Sequence, residues 1–198
     1  MKFVLATQNP KKLKEMSAIL GELGVEVVSE ADLGVKIEVE ETGETFAENS
    51  LLKAKAVIEA TKLPAIADDS GLCVDALNGG PGVYSARFGG EGLDDTGRYR
   101  LLLQMMHGQA DRRAHFHTTI TCAFPNGDVL QDDGEVEGTI AFAPMGENGF
   151  GYDPVFFVPD KRKTFAQLSA EEKAEISHRG KALRAFKETL RNYLAEHQ

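Results

Sequence analysis

Cysteine is scarce in this chain, basic residues are outnumbered by acidic ones, and long apolar runs are missing. Cys73 and Cys122 are the only two cysteines. Both lie in apolar, strand-like segments, with no CxxC pair and no histidine at ligand spacing. They read as reduced core residues, not as a disulfide frame, redox pair or metal site. Lysine and arginine total 22 against 31 acidic residues, a net charge of −9. Sequence-independent nucleic-acid binding needs a basic surface, so no nucleic-acid partner is expected. One small polyanion in a locally basic cleft stays compatible with that charge. The N-terminal "MKFVLATQNPKK" carries only a short apolar run after one lysine. That is too short for a signal peptide or a membrane span, so a cytoplasmic protein with no membrane partner is expected. Neither a Walker lysine motif nor G-x-G-x-x-G occurs, which excludes a P-loop and a dinucleotide fingerprint.

What is present is an ordinary globular composition: 42% of residues are hydrophobic, enough for a sizeable core in 198 residues. Without repeats, low-complexity stretches or a linker, residues 1–198 read as one domain. "KFVLAT" predicts a strand, and "QNPKKLKEMSAILGEL" a helix with Leu13, Met16, Leu20 and Leu23 on one face. "VEVVSE" predicts a second strand. Thr45 and Glu48 stand at capping-box spacing before a helix with an expected buried stripe of Ala47, Leu51, Ala54 and Ile58. Tyr99, Leu102, Leu103 and Met106 mark a third helix. In "RRAHFHTTITCAF" the even-numbered residues Ala114 to Phe124 alternate onto one face, and Asn126-Gly127 predicts a hairpin back through "VLQDDGEVEG". A short strand "VFFV", a helix capped by Ser169 and Glu172, and a final helix with Leu183, Phe186, Leu190 and Tyr193 inward complete the chain. Strand–helix alternation followed by a hairpin implies an α/β fold, a mixed sheet flanked by helices.

Five segments could carry chemistry. In "TQNPKK" a strand gives way to a helix whose free N–H groups and dipole favour an anion, with Thr7, Asn9 and Lys12 as further donors. In "PAIADDSG" an apolar strand ends in Asp68 and Asp69, a carboxylate pair able to hold Mg²⁺ at a sheet edge or to orient an attacking water. An Asp-capped, solvated turn explains the same residues. Upstream, Glu40 and Glu41 offer a further ligand. Lys53 lies off the apolar stripe of its helix, where only a phosphate would give it more than a solvent role. In "NGFGYDP", Phe150 and Tyr152 stand among glycines, as rings that stack on a planar base or as core anchors, one of them being expected in the core. In "SHRGKA", Ser177 reads as an N-cap with His178 and Arg179 in the first turn, where basic residues oppose the macrodipole. His115 and His117 share a strand face with no cysteine or carboxylate at ligand spacing and read as structural or surface residues.

These blocks, with "EETGETFAENSLLKA", "GGPGVYSAR" and "EEKAEISHRGKAL", together resemble the inosine triphosphate pyrophosphatase family, the RdgB-like enzymes. The resemblance runs from the first strand to the last helix. It implies an elongated, two-lobed single domain with a twisted mixed sheet and an active-site cleft between lobes. It also implies a homodimer that uses Mg²⁺ to hydrolyse ITP, dITP or XTP to monophosphate and pyrophosphate. Thr7, Gln8, Asn9, Pro10, Lys11, Lys12 and Lys53 would grip the phosphates, with Lys53 also catalytic, and Ser70 would contact the substrate. Glu40 and Asp69, with Asp68 adjacent, would hold the metal, and Asp69 would activate water. Phe150 would stack on the base, with Gly151, Tyr152, Asp153, Lys173, His178 and Arg179 around its edge. Gln8 stands where the family commonly has glycine.

The chemistry agrees with that reading: water attacks the α-phosphate, pyrophosphate leaves, and no covalent nucleophile is needed. A 6-keto purine would accept from Arg179 or His178, whereas adenine would leave those donors unpaired at a cost of roughly 1–3 kcal/mol. Two other readings fit the same residues: a related pyrophosphatase for pyrimidine or modified nucleotides, and a nucleotide sensor without turnover. A carboxylate-nucleophile phosphatase is set aside because its aspartates alternate as D-x-D.

Overall fold

The computed structural model describes residues 1–197. Its seven-stranded sheet has the order β2-β1-β3-β4-β5-β6-β7, with β1 Lys2–Leu5, β2 Glu26–Ser29, β3 Ala65–Val74, β4 Arg113–Ala123, β5 Val129–Ile140, β6 Phe156–Val158 and β7 Lys163–Thr164. β1 pairs parallel with β2 and β3, while β6 pairs antiparallel with β5 and β7. The sheet is therefore mixed, as the alternation of elements predicts. The helices are α1 Pro10–Gly21, α2 Phe46–Thr61, α3 Asp95–Met105, α4 Ala170–Ile176 and α5 His178–Glu196. Among the described residues, no helix is long and apolar enough to cross a membrane.

The chain forms two compact units. The first comprises Met1–Asp69, Thr118–Asp133 and the chain from Ala182 onward; the second comprises Ser70–His117 and Gly134–Lys181. In the first unit, α1 and α5 bury Met16, Leu20, Leu183, Phe186 and Leu190 against Phe3, Leu5, Ile66 and Ile120. α2 packs Ala54 and Val57 on Val4, Ala65 and Ala67. Residues 65 and 67 thus face α2 while residue 66 faces α1, the period-two alternation of a strand covered on both sides. Of the expected α2 stripe, Ala54 is fully buried and Leu51 and Ile58 pack partly buried against this cluster, while Asn49, Ser50 and Val57 are buried as well. Ser50 fits inward because its hydroxyl meets Thr121 Oγ1 at 2.6 Å and donates to the Ala47 carbonyl at 3.0 Å. Hydrophobic periodicity cannot register a polar residue that is buried by pairing.

In the second unit, Leu72, Val74, Leu102, Met106, Phe116, Phe156 and Phe165 form the core. Phe116 stacks on Phe165 with centroids 5.6 Å apart and meets Phe156 edge-on at 4.6 Å. The six inward residues expected on the Ala114–Phe124 face are all buried. His115 and His117 both face Glu135, at 3.5 and 2.9 Å. No group of three or more His, Cys, Asp or Glu among the described residues is arranged to hold a metal. Both cysteines are free thiols.

Candidate active site

β3 does not stop at its aspartates. It continues through Asp68 and Asp69 to Val74, with β1 on one side and β4 on the other, so the expected strand end at a sheet edge is corrected to mid-strand in a central strand. Two adjacent carboxylates survive there because alternation sends them to opposite faces and each face supplies a lysine. Lys12, in the first turn of α1, donates to Asp68 Oδ2 at 2.8 Å, and Asp68 is only 3% exposed. On the α2 face, Lys53 Nζ lies 3.6 Å from Asp69 Oδ1 and 2.8 Å from Glu41 Oε1, and it donates to the Asp68 carbonyl at 2.6 Å. Thr118 Oγ1 donates to the Asp69 carbonyl at 3.1 Å.

The electrostatics separate the two aspartates. Burial pushes the Asp69 carboxyl up to about 6, against the opposing pull of Lys53 and of the Asn49 side chain, while Glu41 and Asp68 add repulsion. Burial works to lower the Lys53 ammonium, yet Asp69 and Glu41 outweigh it and hold the pKa above its ordinary value. Asp69 Oδ2 is buried with no hydrogen-bond partner. A buried carboxylate oxygen without a donor is costly, and burial beside a charge partner is a common mark of a functional carboxylate.

The first motif takes up its expected helix-start role. Asn9 caps α1, accepting from the Lys11 N–H at 3.0 Å, Pro10 is the first helical residue, and Thr7 Oγ1 accepts from the Asn9 N–H at 3.1 Å. Thr7 and Gln8 share a cavity of about 190 Å³ with Val39 and Lys53. Lys11 is exposed, and Lys12 is turned to Asp68. In the acidic loop it is Glu41 that approaches Lys53, whereas Glu40 is exposed. That loop is held by Asn49, whose Oδ1 accepts from the Gly43 N–H at 2.8 Å.

In the second unit the "GFGYD" loop is fastened from within. Asp153 is 3% exposed and its Oδ2 accepts from Lys173 Nζ at 2.5 Å and from the Phe150 N–H at 3.1 Å. Burial raises the Asp153 pKa while Lys173 opposes the shift. Gly149 cannot be another residue: its φ is +74°, and a Cβ would sit 2.0 Å from Asp153 Oδ2. Of the two rings, Tyr152 is the core anchor, buried with its hydroxyl donating to the Ser85 carbonyl at 2.6 Å. Phe150 is the open one, 52% exposed, with the Lys173 ammonium 4.6 Å from its centroid. Gly151 donates its N–H to Asp95 Oδ2 at 2.8 Å.

Ser177 opens α5, its hydroxyl accepting from the Gly180 N–H at 3.0 Å. His178 stacks on Phe116 with centroids 4.8 Å apart and 12° between planes, which fixes the imidazole orientation. Arg179 is half-buried beside it in the first turn, and Ser70 is half-buried on β3. The sequence reading did not single out Asn49, Asp95 or Ser85. Asn49 had no signal, because it falls on the side of its helix opposite the expected apolar stripe. Asp95 and Ser85 had none either, since their partners lie 56 and 67 residues away.

The Ham1 family pattern matches residues 3–189. A dITP/XTP pyrophosphatase of Thermus thermophilus is 51% identical over 193 residues, covering 97% of this chain and 93% of that protein. The Escherichia coli dITP/XTP pyrophosphatase is 47% identical over 195 residues, covering 96% and 98%. The structure of the Staphylococcus aureus Ham1 protein superposes with a TM-score of 0.92 at 42% identity, covering 98% of this chain and all of that one. With most of its length matched in sequence and in fold, the chain belongs to the Ham1 family.

Proposed function

We propose that this protein hydrolyses non-standard purine nucleoside triphosphates (ITP, dITP and XTP) to the monophosphate and pyrophosphate. The observation that carries the reading is Asp69 Oδ2, a buried carboxylate oxygen without a hydrogen-bond partner, on a side chain whose other oxygen faces Lys53. Relatives about half identical to this chain bear the name dITP/XTP pyrophosphatase, which supports the substrate class.

The donor set fits Mg²⁺. It is all oxygen, with Asp69 and Glu41 both within 4 Å of Lys53. Fewer than three protein ligands suffice, because Mg²⁺ keeps several waters and commonly takes one or two carboxylates plus substrate phosphates. Bound there, the ion would supply charge neutralisation at the phosphates and Lewis-acid polarisation. The chain's own groups do the rest. Asp69 Oδ2 orients the attacking water and takes its proton, while the raised carboxyl pKa suits a base near neutrality. Lys53 balances the carboxylate charge, and the Thr7–Lys12 turn offers donors to the phosphates. Glu41 is the better-placed of the two adjacent glutamates for the metal, because only it approaches Lys53.

Base recognition belongs to the second unit in this reading. Phe150 supplies an open ring face, and Lys173, His178 and Arg179 supply donors that a 6-keto purine accepts and a 6-amino purine does not. The protein acts as a homodimer on the cytoplasmic nucleotide pool, a reading supported by the family resemblance.

The deciding experiment is product analysis with Mg²⁺ and ITP, XTP, dITP, ATP, GTP and dTTP in parallel. Pyrophosphate and monophosphate are expected from the first three, with little from the others. Saturable ITP binding without product would leave a sensor instead. Sedimentation at micromolar concentration checks the dimer.

A further inference from the structure

We propose that Asp95 is a positioning residue for base recognition, holding the Phe150 ring in its open pose through the Gly151 amide; this rests on the base-reading role proposed for Phe150. Consecutive amides of the loop are each taken by a carboxylate. The Phe150 N–H goes to Asp153 Oδ2 at 3.1 Å, and the Gly151 N–H to Asp95 Oδ2 at 2.8 Å. Three residues on from Gly149, the Tyr152 hydroxyl anchors the loop to the Ser85 carbonyl at 2.6 Å. Of these three ties, only the one to Asp95 holds a residue with no side chain and positive φ, +60° at Gly151, with no other atom within 4 Å of where a Cβ would stand.

The support behind Asp95 is rigid. It is the first residue of α3, just after the Asp94 cap, which accepts from the Gly97 N–H at 2.7 Å. One turn on, Arg98 Nη1 donates to the carbonyls of Phe88 and Gly90 at 2.8 and 3.0 Å, and Leu102 is fully buried. Asp95 is itself exposed, so global stability owes it little. Its carboxylate accepts a charge-assisted bond from the loop that presents Phe150. Losing that bond frees the peptide next to the ring, so the ring must be ordered again at each binding event, which weakens recognition of the base and not of the phosphates.

The test measures affinity for IMP and for pyrophosphate separately, by calorimetry, on the full chain and on Asp95→Ala and Asp95→Asn. Asp95→Ala should weaken IMP about tenfold and leave pyrophosphate and the melting temperature unchanged. Asp95→Asn, which keeps an acceptor oxygen, should recover most of the loss. With ITP, KM should rise in Asp95→Ala while kcat holds. An unchanged IMP affinity in Asp95→Ala overturns the inference, as do equal losses for IMP and pyrophosphate or an Asn variant no better than Ala. Absence of IMP binding to the unaltered protein also overturns it. Failure of the hydrolytic reading shows differently, as IMP binding without ITP turnover.

Discussion

Lys12 Nζ donates to Asp68 Oδ2 at 2.8 Å, joining the first turn of α1 to the middle of β3 across 56 residues of sequence. Because Asp68 is only 3% exposed, the lysine holds a carboxylate that water barely reaches. Lys12→Met should cost roughly 1.5–3 kcal/mol of folding stability, since it removes a charged donor from a buried carboxylate. The double variant Lys12→Met/Asp68→Leu should recover most of that loss. Urea unfolding of the three proteins checks both, and a near-neutral Lys12→Met would show the pair to be solvent-screened.

Asp69 is stabilised differently. Burial raises its folded pKa to about 6 from 3.8, so the folded state binds the proton more tightly than the unfolded chain does. The contribution of this group to stability is therefore fullest below about pH 4 and is lost as pH rises through 6. Asp69→Asn should stabilise the metal-free protein at pH 8 by roughly 1–3 kcal/mol and change it little at pH 4. The same substitution should lower ITP turnover at least about a hundredfold. Urea midpoints that coincide with those of the unaltered protein at pH 8 would contradict the burial strain.

Gly43 has a steric reason to be glycine. A Cβ there would lie 2.6 Å from Asn49 Oδ1 and 2.7 Å from Glu48 Cβ. Gly43→Ala should cost roughly 1–3 kcal/mol through overpacking. Glu41 is two residues away, so the Mg²⁺ concentration for half-maximal turnover should rise as well. Thermal unfolding and a Mg²⁺ titration measure the two effects.

Cys73 should be chemically quiet. Burial pushes its thiol up to about 11, with Glu135 and Asp75 adding repulsion. Alkylation at pH 8 should run roughly a hundredfold slower than for a free cysteine and accelerate with each pH unit above it. Peptide mass spectrometry after timed iodoacetamide exposure reads the rate. Fast labelling of Cys73 at pH 8 would place it in open solvent.

Local physics is what made the elements readable. The caps at Thr45 and Ser169 act within one helical turn, and each stands where the spacing predicts. The stripes of α1 and α5 and the inward face of β4 follow from apolar periodicity alone. On α2 the apolar stripe of Leu51, Ala54 and Ile58 was readable, but the burial of Asn49 and Ser50 was not, because they are buried by pairing and carry no apolar signal. The aspartates were assigned to a strand end because charge lowers β-propensity, whereas pairing to lysines on two helices overrides that preference.

By itself, the sequence determined the order and type of the main elements, the mixed α/β class, and the residues worth weighing as a site. It did so because propensity, capping and periodicity are interactions between near neighbours. Only the tertiary structure decided that Asp68 belongs to Lys12 and Asp69 to Lys53, that Glu41 rather than Glu40 turns toward the lysine, and that Asp95 reaches Gly151. Those outcomes depend on which face of the sheet each helix covers and on contacts between residues dozens of positions apart. No local rule along the chain encodes that geometry.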